Sequence, residues 1–455
     1  HYNDLIAGWR ITRLAGFGAV YGCCGMKGTG TNKWLHLFAL ATVLFSMPLI
    51  FMGGLVTSKG VGLAVPDYPT SFGYNMFLLP LDQWVGSFGI HEEHSHRLMG
   101  SLVGLLILIL AVWLWRVEPT GKYRRLVLGI VFLGPCIMAL MVLTGIRSDT
   151  LMIIAAGVAT AAAVFSFAKI LKNRSAVHWW GTMALCIVTV LGVLGGLRVV
   201  KVDDRIGIFH GTLAQLLLAV LACIALFTSN WWQSRRTADN PEDLVPRPVR
   251  LYFLIATIFI FLQLVLGATM RHQHAGLPVW DFPMAHGKWW PSTDQASLAR
   301  YNQERNALQV KLYKAMKATD SRGNPVTFLV TPKGALQKIR SVDINLHMLH
   351  RLVAILILGL VLGAVLLMYR KLGIRHALTR IALGWLGLIL LQGVLGALTV
   401  LKYKPADIAT AHVLCGAFTL LTGVIGTLIS YTKHLPAMTE RGDEGFTMSR
   451  AEALG

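Results

Sequence analysis

The sequence predicts an all-α polytopic membrane protein made of two pseudo-symmetric four-helix repeats, with an additional helical hairpin inserted in the first repeat. Three observations lead to this fold class. Of the 455 residues, 55% are hydrophobic and only 14% are charged, which is less charge than a soluble domain carries. Many apolar runs reach the roughly 20 residues that a helix needs to cross a bilayer. Finally, the same short motifs recur in the same order in both halves.

The apolar runs predict about ten membrane-spanning helices. Lys and Arg are concentrated in alternate connections, such as 116–125 and 235–250, which the positive-inside rule assigns to the cytoplasm. The net charge of +20 is therefore interpreted as a sign of topology, and no contiguous basic face indicates a nucleic-acid partner. The predicted helices cover 34–56, 91–116, 123–145, 149–171, 178–200, 206–229, 250–270, 344–369, 377–401 and 407–432.

These helices divide the chain into five predicted segments. The inserted hairpin contains no histidine and is expected to be dispensable for chemistry. The long outer loop is expected to contain a surface helix in the stretch YNQERNALQVKLYKAMK from Tyr301. The segments are an N-terminal cytoplasmic extension (1–33), a first repeat (34–229, with the hairpin at 123–172), a cytoplasmic linker (230–249), a second repeat (250–432, with the outer loop 271–343) and a cytoplasmic tail (433–455).

Four motifs of the first half match motifs of the second half in the same order. Because both copies have the same predicted topology, the duplication is interpreted as a parallel repeat about an axis along the membrane normal. The matching pairs are GGLVTSKGVGLAVPDYP from Gly53 with GATMRHQHAGLPVWDFP from Gly267, the His-Arg pair at His96 with that at His350, GGLRVV from Gly195 with GALTVL from Gly396, and the histidine at His210 with that at His412.

Four histidines lie inside the predicted helices near their outer ends, namely His96 and His210 in the first half and His350 and His412 in the second. An ionisable group at membrane depth is costly and by default indicates function. Two imidazoles per half suit the axial ligation of haem iron inside a helix bundle, whereas a zinc site needs three or four clustered ligands. The chain contains no CxxCH motif, which argues against covalent haem attachment.

The two halves differ next to the first histidine of each pair. Glu93 precedes His96 by three residues, and this spacing places the two side chains on one face of the helix. The corresponding position before His350 is His347. A carboxylate beside a ligand in only one half indicates a catalytic group, and a hydrated residue at the membrane interface is the alternative.

An arginine directly follows the first histidine of each pair. These residues are Arg97 and Arg351. Their guanidinium groups either contact haem propionates as charge-assisted partners or extend along the helix to the membrane surface.

With these motifs the chain resembles the haem A synthase family over both halves. The resemblance rests on the PDYP-type outer loop, the Glu93-x-x-His96-Arg97 helix start, the second His-Arg pair, and the histidines His210 and His412. The resemblance implies that His350 and His412 bind a haem b cofactor and that His96 and His210 bind the substrate haem o. It also implies that Glu93 is the catalytic acid and that a ring methyl of haem o is oxidised to the formyl group of haem a for terminal oxidase assembly.

The resemblance further implies an eight-helix bundle, from which this sequence departs by its inserted hairpin and its long outer loop. The cysteine pair that some family members have in the first outer loop is absent, and Val65 and Ser71 lie near its place. The expected location is a bacterial plasma membrane with the haem sites toward its outer side. Expected partners besides membrane lipid are haem o, a haem o synthase, terminal oxidase assembly factors and a second copy of the chain.

Two other functions remain open from the sequence. A non-catalytic di-haem b cytochrome in quinone-linked electron transfer would use the same histidine pairs, but it would not need Glu93 in one half alone. A transporter could also contain an internal repeat, although it would be expected to place polar residues at the membrane midplane.

Overall fold

The computed structural model describes residues 32–117, 124–173, 176–237, 245–273, 275–315, 318–319, 325–326 and 338–431. The predicted cytoplasmic tail, nearly all of the N-terminal extension and part of the long outer loop lie outside the described residues. The helices are α1 (Lys33–Lys59), α2 (Leu81–Trp84), α3 (Ile90–Val117), α4 (Arg124–Thr144), α5 (Asp149–Lys172), α6 (Val177–Lys201), α7 (Asp204–Thr228), α8 (Asn230–Thr237), α9 (Arg247–His272), α10 (Gln295–Ala315), α11 (Ser341–Leu372), α12 (Ala377–Leu401) and α13 (Ala406–Tyr431). The strands are β1 (Thr70–Ser71), β2 (Tyr74–Asn75), β3 (Ala318–Thr319) and β4 (Pro325–Val326), which pair as two antiparallel ladders.

Nine helices of the described part are long and apolar enough to cross a membrane. These are α1, α3, α5, α6, α7, α9, α11, α12 and α13, and they confirm an all-helical integral membrane protein. The tenth predicted span, 123–145, corresponds to α4, whose described apolar stretch Val131–Thr144 is shorter than the other nine. That α4 crosses the membrane therefore stays a prediction.

The spanning helices pack as two groups of four. In the first group α1 packs against α3 and α7, and α6 packs against the same two helices. In the second group α9 and α12 each pack against α11 and α13. Contacts of α1 and α7 with α13, and of α7 with α9, join the two groups. This arrangement encloses a shared space between the groups.

Apolar side chains that project inward form a hydrophobic core in each group. The first core contains Ala39, Ile107 and Leu221 from three different helices. The second core contains Phe253 and Trp385, whose rings stack at a centroid distance of 5.3 Å. Apolar side chains of the same helices are also exposed on their outer faces, where hydrocarbon would surround them.

The predicted hairpin is formed by α4 and α5, which pack against each other and against α6 at the side of the first group. Small residues of α5, among them Ala155 and Ala159, are fully buried against α4. A salt bridge of 3.1 Å between Lys201 Nζ and Asp149 joins the start of α5 to the end of α6. The hairpin is therefore attached firmly to the first group.

The long outer loop contains the predicted surface helix as α10. The helix begins at Gln295, earlier than the stretch from Tyr301 indicated, because Asp294 accepts a hydrogen bond from Ser297 N at 2.9 Å and caps the helix start. Tyr301 is fully buried and packs with Val279, Ile339 and Ile344. This part of the loop is thus anchored on the start of α11.

Candidate functional site

A cavity of about 1600 Å³ lies at the junction of the two helix groups and is lined by residues of both. This is larger than the roughly 300–1000 Å³ of an ordinary small-molecule pocket. The cavity brings together all seven residues that the sequence indicated: Glu93, His96, Arg97, His210, His350, Arg351 and His412.

The four histidines form one pair in each group. His96 of α3 and His210 of α7 are close enough to interact electrostatically, as are His350 of α11 and His412 of α13. All four histidines are partly accessible and line the cavity. Backbone carbonyl oxygens of Leu49, Leu191 and Gln392 interact with the rings of His96, His210 and His412. The imidazoles are therefore within reach of a ligand in the cavity.

Each of the four imidazoles lies against a glycine of a neighbouring helix. A Cβ on Gly53 would overlap the ring of His96 and one on Gly396 would be tight against His412, whereas Cβ atoms on Gly195 and Gly267 would make ordinary contacts with His210 and His350. The distances from a Cβ placed on the glycine to the imidazole Cε1 are 2.8 Å for Gly53 with His96, 3.5 Å for Gly195 with His210, 3.4 Å for Gly267 with His350 and 3.3 Å for Gly396 with His412.

The donor set fits haem. Two imidazoles facing one space in each group correspond to the two axial ligands of a haem iron. Across the described part of the chain, no three His, Cys, Asp or Glu side chains cluster in a way that could hold a bare metal ion. Two cavity-lining imidazoles in each group therefore fit haem better than a bare metal ion.

Glu93 lies in the first turn of α3 and its side chain is 5% exposed. Its Oε2 accepts a hydrogen bond from Val65 N at 2.9 Å, and its Oε1 forms a 2.7 Å ion pair with Arg97 Nη2. The carboxylate is therefore fixed between the first outer loop and Arg97 while it lines the cavity. This geometry was not foreseen from the sequence, which indicated only its position beside His96.

Arg97 and Arg351 hold the outer loops in place. Arg97 donates to the carbonyl oxygens of Val65, Asp67 and Thr70 at 2.6 to 3.1 Å. Arg351 donates to Asp281 O at 2.8 Å and to the oxygen of Met284 at 2.9 Å. The sequence predicted contact with haem propionates or extension to the membrane surface, and it did not predict these hydrogen bonds to the loops. Contact with haem propionates stays a prediction for both residues.

The two loops that these arginines hold are built alike. Asp67 accepts hydrogen bonds from Phe72 N at 2.7 Å and from Gly73 N at 2.8 Å. In the second loop Asp281 accepts from the corresponding pair, His286 N at 2.8 Å and Gly287 N at 2.9 Å. The backbone hydrogen bonds lower the pKa of Asp67 despite its partial burial. The aspartate of each DYP or DFP motif therefore closes a turn in its loop.

Three basic residues of the cavity were missed by the sequence reasoning. They are Arg198 at the end of α6, Arg271 at the end of α9 and Lys404 in the turn before α13. The available signal was their position at the ends of helices predicted to face outward, where the positive-inside rule does not favour basic residues.

The inserted hairpin also contributes to the cavity. Pro135, Met138, Ala139 and Val142 of α4 line it on the side of the first group. Asn75 Nδ2 donates to Leu143 O at 2.9 Å and so ties the first outer loop to the end of α4. A hairpin expected to be remote from the chemistry thus forms an apolar wall of the same space.

The fold and the site define a polytopic membrane protein with one histidine pair in each of two helix groups, the arrangement that holds haem inside a membrane bundle. Residues 150–425 match the COX15-CtaA family, described as cytochrome oxidase assembly protein. The chain belongs to this family, which is the haem A synthase family of oxidoreductases. The resemblance noted in the sequence is thereby confirmed.

Individual relatives are distant in sequence. The chain is 21% identical over 262 residues to a Heme A synthase of Shouchella clausii, covering 57% of this chain and 66% of the relative. It is 22% identical over 265 residues to a Heme A synthase of Halalkalibacterium halodurans, covering 57% and 67%. A Heme A synthase of Lysinibacillus sphaericus is 21% identical over 359 residues, covering 75% and 97%. The chain thus spans about two thirds of the length of the first two relatives.

Proposed function

We propose that the protein is a haem A synthase that oxidises a ring methyl of haem o to the formyl group of haem a. The observation that carries this proposal is the pair of histidines that each helix group directs into one cavity, together with a fixed carboxylate beside only one of the pairs. Membership of the haem A synthase family supports it.

In this proposal His350 and His412 hold a haem b cofactor, and His96 and His210 hold the substrate haem o. Haem b, when bound, supplies an iron that can accept and pass on electrons. Gly53 and Gly396 leave the space that the imidazoles of His96 and His412 occupy. Both sites open into one cavity, so electrons need not leave the protein to pass from one half to the other.

The two helix groups are proposed to be copies of one four-helix unit. The arrangement of contacts is the same in both groups. In addition, Arg97 donates to Asp67 O and Arg351 donates to Asp281 O, so equivalent arginines hold equivalent loops. The domain boundaries predicted from the sequence, with the hairpin as an addition to the first unit, belong to the same proposal.

Glu93 is proposed to act on the substrate as a positioned carboxylate. Its ion pair with Arg97 and its hydrogen bond from Val65 N hold both carboxylate oxygens in place, so the group can serve either by electrostatic stabilisation of developing positive charge or by proton transfer. The second half has His347 at this position, which is buried and has an unpartnered Nδ1 atom in the described structure. The difference supports a substrate site in the first half only.

The apolar wall of α4 is proposed to receive the isoprenoid tail of haem o. Haem o differs from haem b by this long apolar substituent, which needs an apolar surface near the ring. Ala139 and Leu143 of α4 line the cavity and are exposed at the outside of the helix group, so the wall continues to the lipid-facing surface. No such wall is contributed by the hairpin to the second half.

The remaining expectations are part of the same proposal. The protein would act in a bacterial plasma membrane with its sites toward the outer side, receive haem o from a haem o synthase and deliver haem a for terminal oxidase assembly. Self-association of the chain is expected within this setting.

Pigment analysis tests the proposed function. The purified protein is extracted with acidified acetone, and the haems are identified by mass spectrometry. Haem b together with haem o or haem a is the expected result. Haem b alone, even after co-expression with a haem o synthase, would instead identify a non-catalytic di-haem cytochrome.

A further inference from the structure

A row of three basic side chains crosses the cavity from one helix group to the other. Arg198 comes from the first group, and Arg271 and Lys404 come from the second. In the described part of the chain, no carboxylate forms a salt bridge with Arg271 or Lys404. Like charges repel each other, and partly buried cations are unfavourable without a counter-charge. Arg271 and Lys404 therefore favour an anionic ligand, whereas Asp204 and Glu93 also act electrostatically on Arg198.

Lys404 is directed to this row by an unusual turn. Tyr403 has φ of 57° and Lys404 has φ of 63°, and two successive non-glycine residues rarely adopt this left-handed conformation. The aliphatic part of Lys404 lies beside Gly276, at 3.8 Å from a Cβ placed there. Backbone strain of this kind is concentrated at functional sites.

Arg198 occupies the corresponding place in the first group. Its Nη1 atom lies 3.1 Å from a Cβ placed on Gly62, the glycine that matches Gly276 in the repeated loop motif. A Cβ on Gly62 would be tight against Arg198, whereas a Cβ on Gly276 would make an ordinary contact with Lys404. Each outer loop thus leaves room for one cation, although the two cations do not occupy matching positions in the sequence.

Arg271 joins the two ends of the row. It belongs to α9, but its Nη2 atom donates to Gly54 O and, at 2.6 Å, to Ser58 Oγ, both on α1. It interacts electrostatically with Arg198 on one side and with Lys404 on the other. The guanidinium group therefore stands at the boundary between the two groups.

The row lies beside both histidine pairs. Arg198 acts electrostatically on His96 and His210, and Arg271 acts on His412. The other two arginines of the cavity, Arg97 and Arg351, already donate to loop carbonyls. Of the row, Arg271 also donates to Gly54 O and Ser58 Oγ, whereas Arg198 and Lys404 form no salt bridge in the described part of the chain.

We propose that Arg198, Arg271 and Lys404 form one anion-binding row for the propionate carboxylates of the haems in both halves, with Arg271 shared between them. This inference rests on the proposed function. Guanidinium and ammonium groups form strong charge-assisted hydrogen bonds with carboxylates. A shared arginine would also link occupation of one site to occupation of the other.

Haem titration of the full-length protein tests the row. The apoprotein, in nanodiscs of neutral lipid, is titrated with haem b and with haem b dimethyl ester, whose propionates carry no charge. The wild type should bind the free acid more tightly than the ester. Arg271→Gln and Lys404→Gln should each weaken binding of the free acid by about tenfold to a hundredfold and leave binding of the ester unchanged.

Matched variants keep the test decisive. Lys402→Gln alters an exposed lysine of the same turn that does not line the cavity and should bind both haems like the wild type. Lys404→Arg retains the charge and should restore most of the preference for the free acid. The haem of Lys404→Gln should also have a lower reduction potential, because loss of a nearby positive charge favours the ferric form. An equal preference for the free acid in all variants would overturn the proposal.

An anionic lipid headgroup offers the same ionic chemistry as a propionate. If phosphatidylglycerol in the nanodiscs stabilises the apoprotein and competes with haem, and both effects vanish in Lys404→Gln, the row binds lipid and the proposal is wrong. The proposed function fails separately. If the protein shows the full preference for the free acid but never forms haem a, the anion-binding row is supported and the proposed haem A synthase activity is wrong.

Discussion

A glycine on α1 determines where the first histidine of the site can stand. The imidazole of His96 lies so close to Gly53 that a Cβ at this position would come within 2.8 Å of Cε1. A contact this short forces the added methyl group or the imidazole of His96 to move, and the surrounding helices hold the imidazole.

Replacement of this glycine should therefore displace the histidine without unfolding the protein. Gly53→Ala is expected to lose most haem from the first half, although alanine is the better helix former by about 1 kcal/mol. The low-spin haem spectrum and the haem content per protein measure the effect. Gly157→Ala is the matched control, because a Cβ there has no atom within 4 Å and Gly157 does not line the cavity. Full haem content in Gly53→Ala would show that this contact does not position His96.

Variants of the two histidine pairs should differ in which haem they lose. His412→Ala is expected to lower bound haem b and to abolish haem a formation while the protein still inserts in the membrane. His96→Ala is expected to keep haem b and to lose haem o. Extraction and chromatography of the haems from both variants provide the measurement. Loss of the same haem from both variants would contradict the assignment of one haem to each half.

Removal of the Glu93 carboxylate should stop the reaction and spare haem binding. Glu93→Ala is expected to lower haem a formation by about a hundredfold or more, because a preorganised charge at a reacting centre contributes an effect of this size. Glu93→Asp should also retain little activity, because a shift of about 1 Å can cost about a hundredfold.

The control for this prediction is the neighbouring residue. Glu92→Ala removes a partly buried ion pair with Lys59 that lies outside the cavity lining, and it should leave haem a formation nearly unchanged. The ratio of haem a to haem o in membranes is measured for each variant. Undiminished haem a from Glu93→Ala would remove the main reason to prefer an enzyme over an electron-transfer cytochrome.

A bulky side chain on the apolar wall should discriminate between the two haems. Ala139→Phe fills space at the cavity lining of α4 and is expected to lower retention of haem o several-fold while haem b is retained. Val164→Phe is the control, because Val164 is 65% exposed on the same hairpin and does not line the cavity. Equal loss of haem b and haem o from Ala139→Phe would argue against a tail site at α4.

The apoprotein should become more stable as the pH rises past 8. Burial and the charge of Arg271 lower the pKa of Lys404 from 10.5 to about 8. Between these values the unfolded chain retains a proton that the folded protein has lost, so the free energy of unfolding increases with pH. Thermal unfolding of the apoprotein between pH 7.5 and about 10 should show this rise relative to Lys404→Met. Identical pH profiles for the two proteins would show that Lys404 is not responsible.

Much of the site could be predicted from the sequence, because a histidine at membrane depth is conspicuous against an apolar background. His96, His210, His350 and His412 all face the cavity that the structure contains. The internal repeat also predicted how the histidines pair, because each half of the sequence contains two of these histidines in the same order. The position of Glu93 beside His96 followed from helix geometry, but its partners Val65 N and Arg97 did not.

The sequence by itself determined the class of fold, nine of the spans and the four histidines that line the cavity, because length, hydropathy and motif order are properties of the linear chain. Only the tertiary structure decided that both halves share one cavity, that α4 forms part of its wall, and that Arg198, Arg271 and Lys404 stand in one row. These three residues come from α6, α9 and the turn before α13 and have no basic counterparts in the repeat. Their proximity arises from the packing of α1, α7, α9 and α13 between the two groups, and no local pattern encodes such a contact.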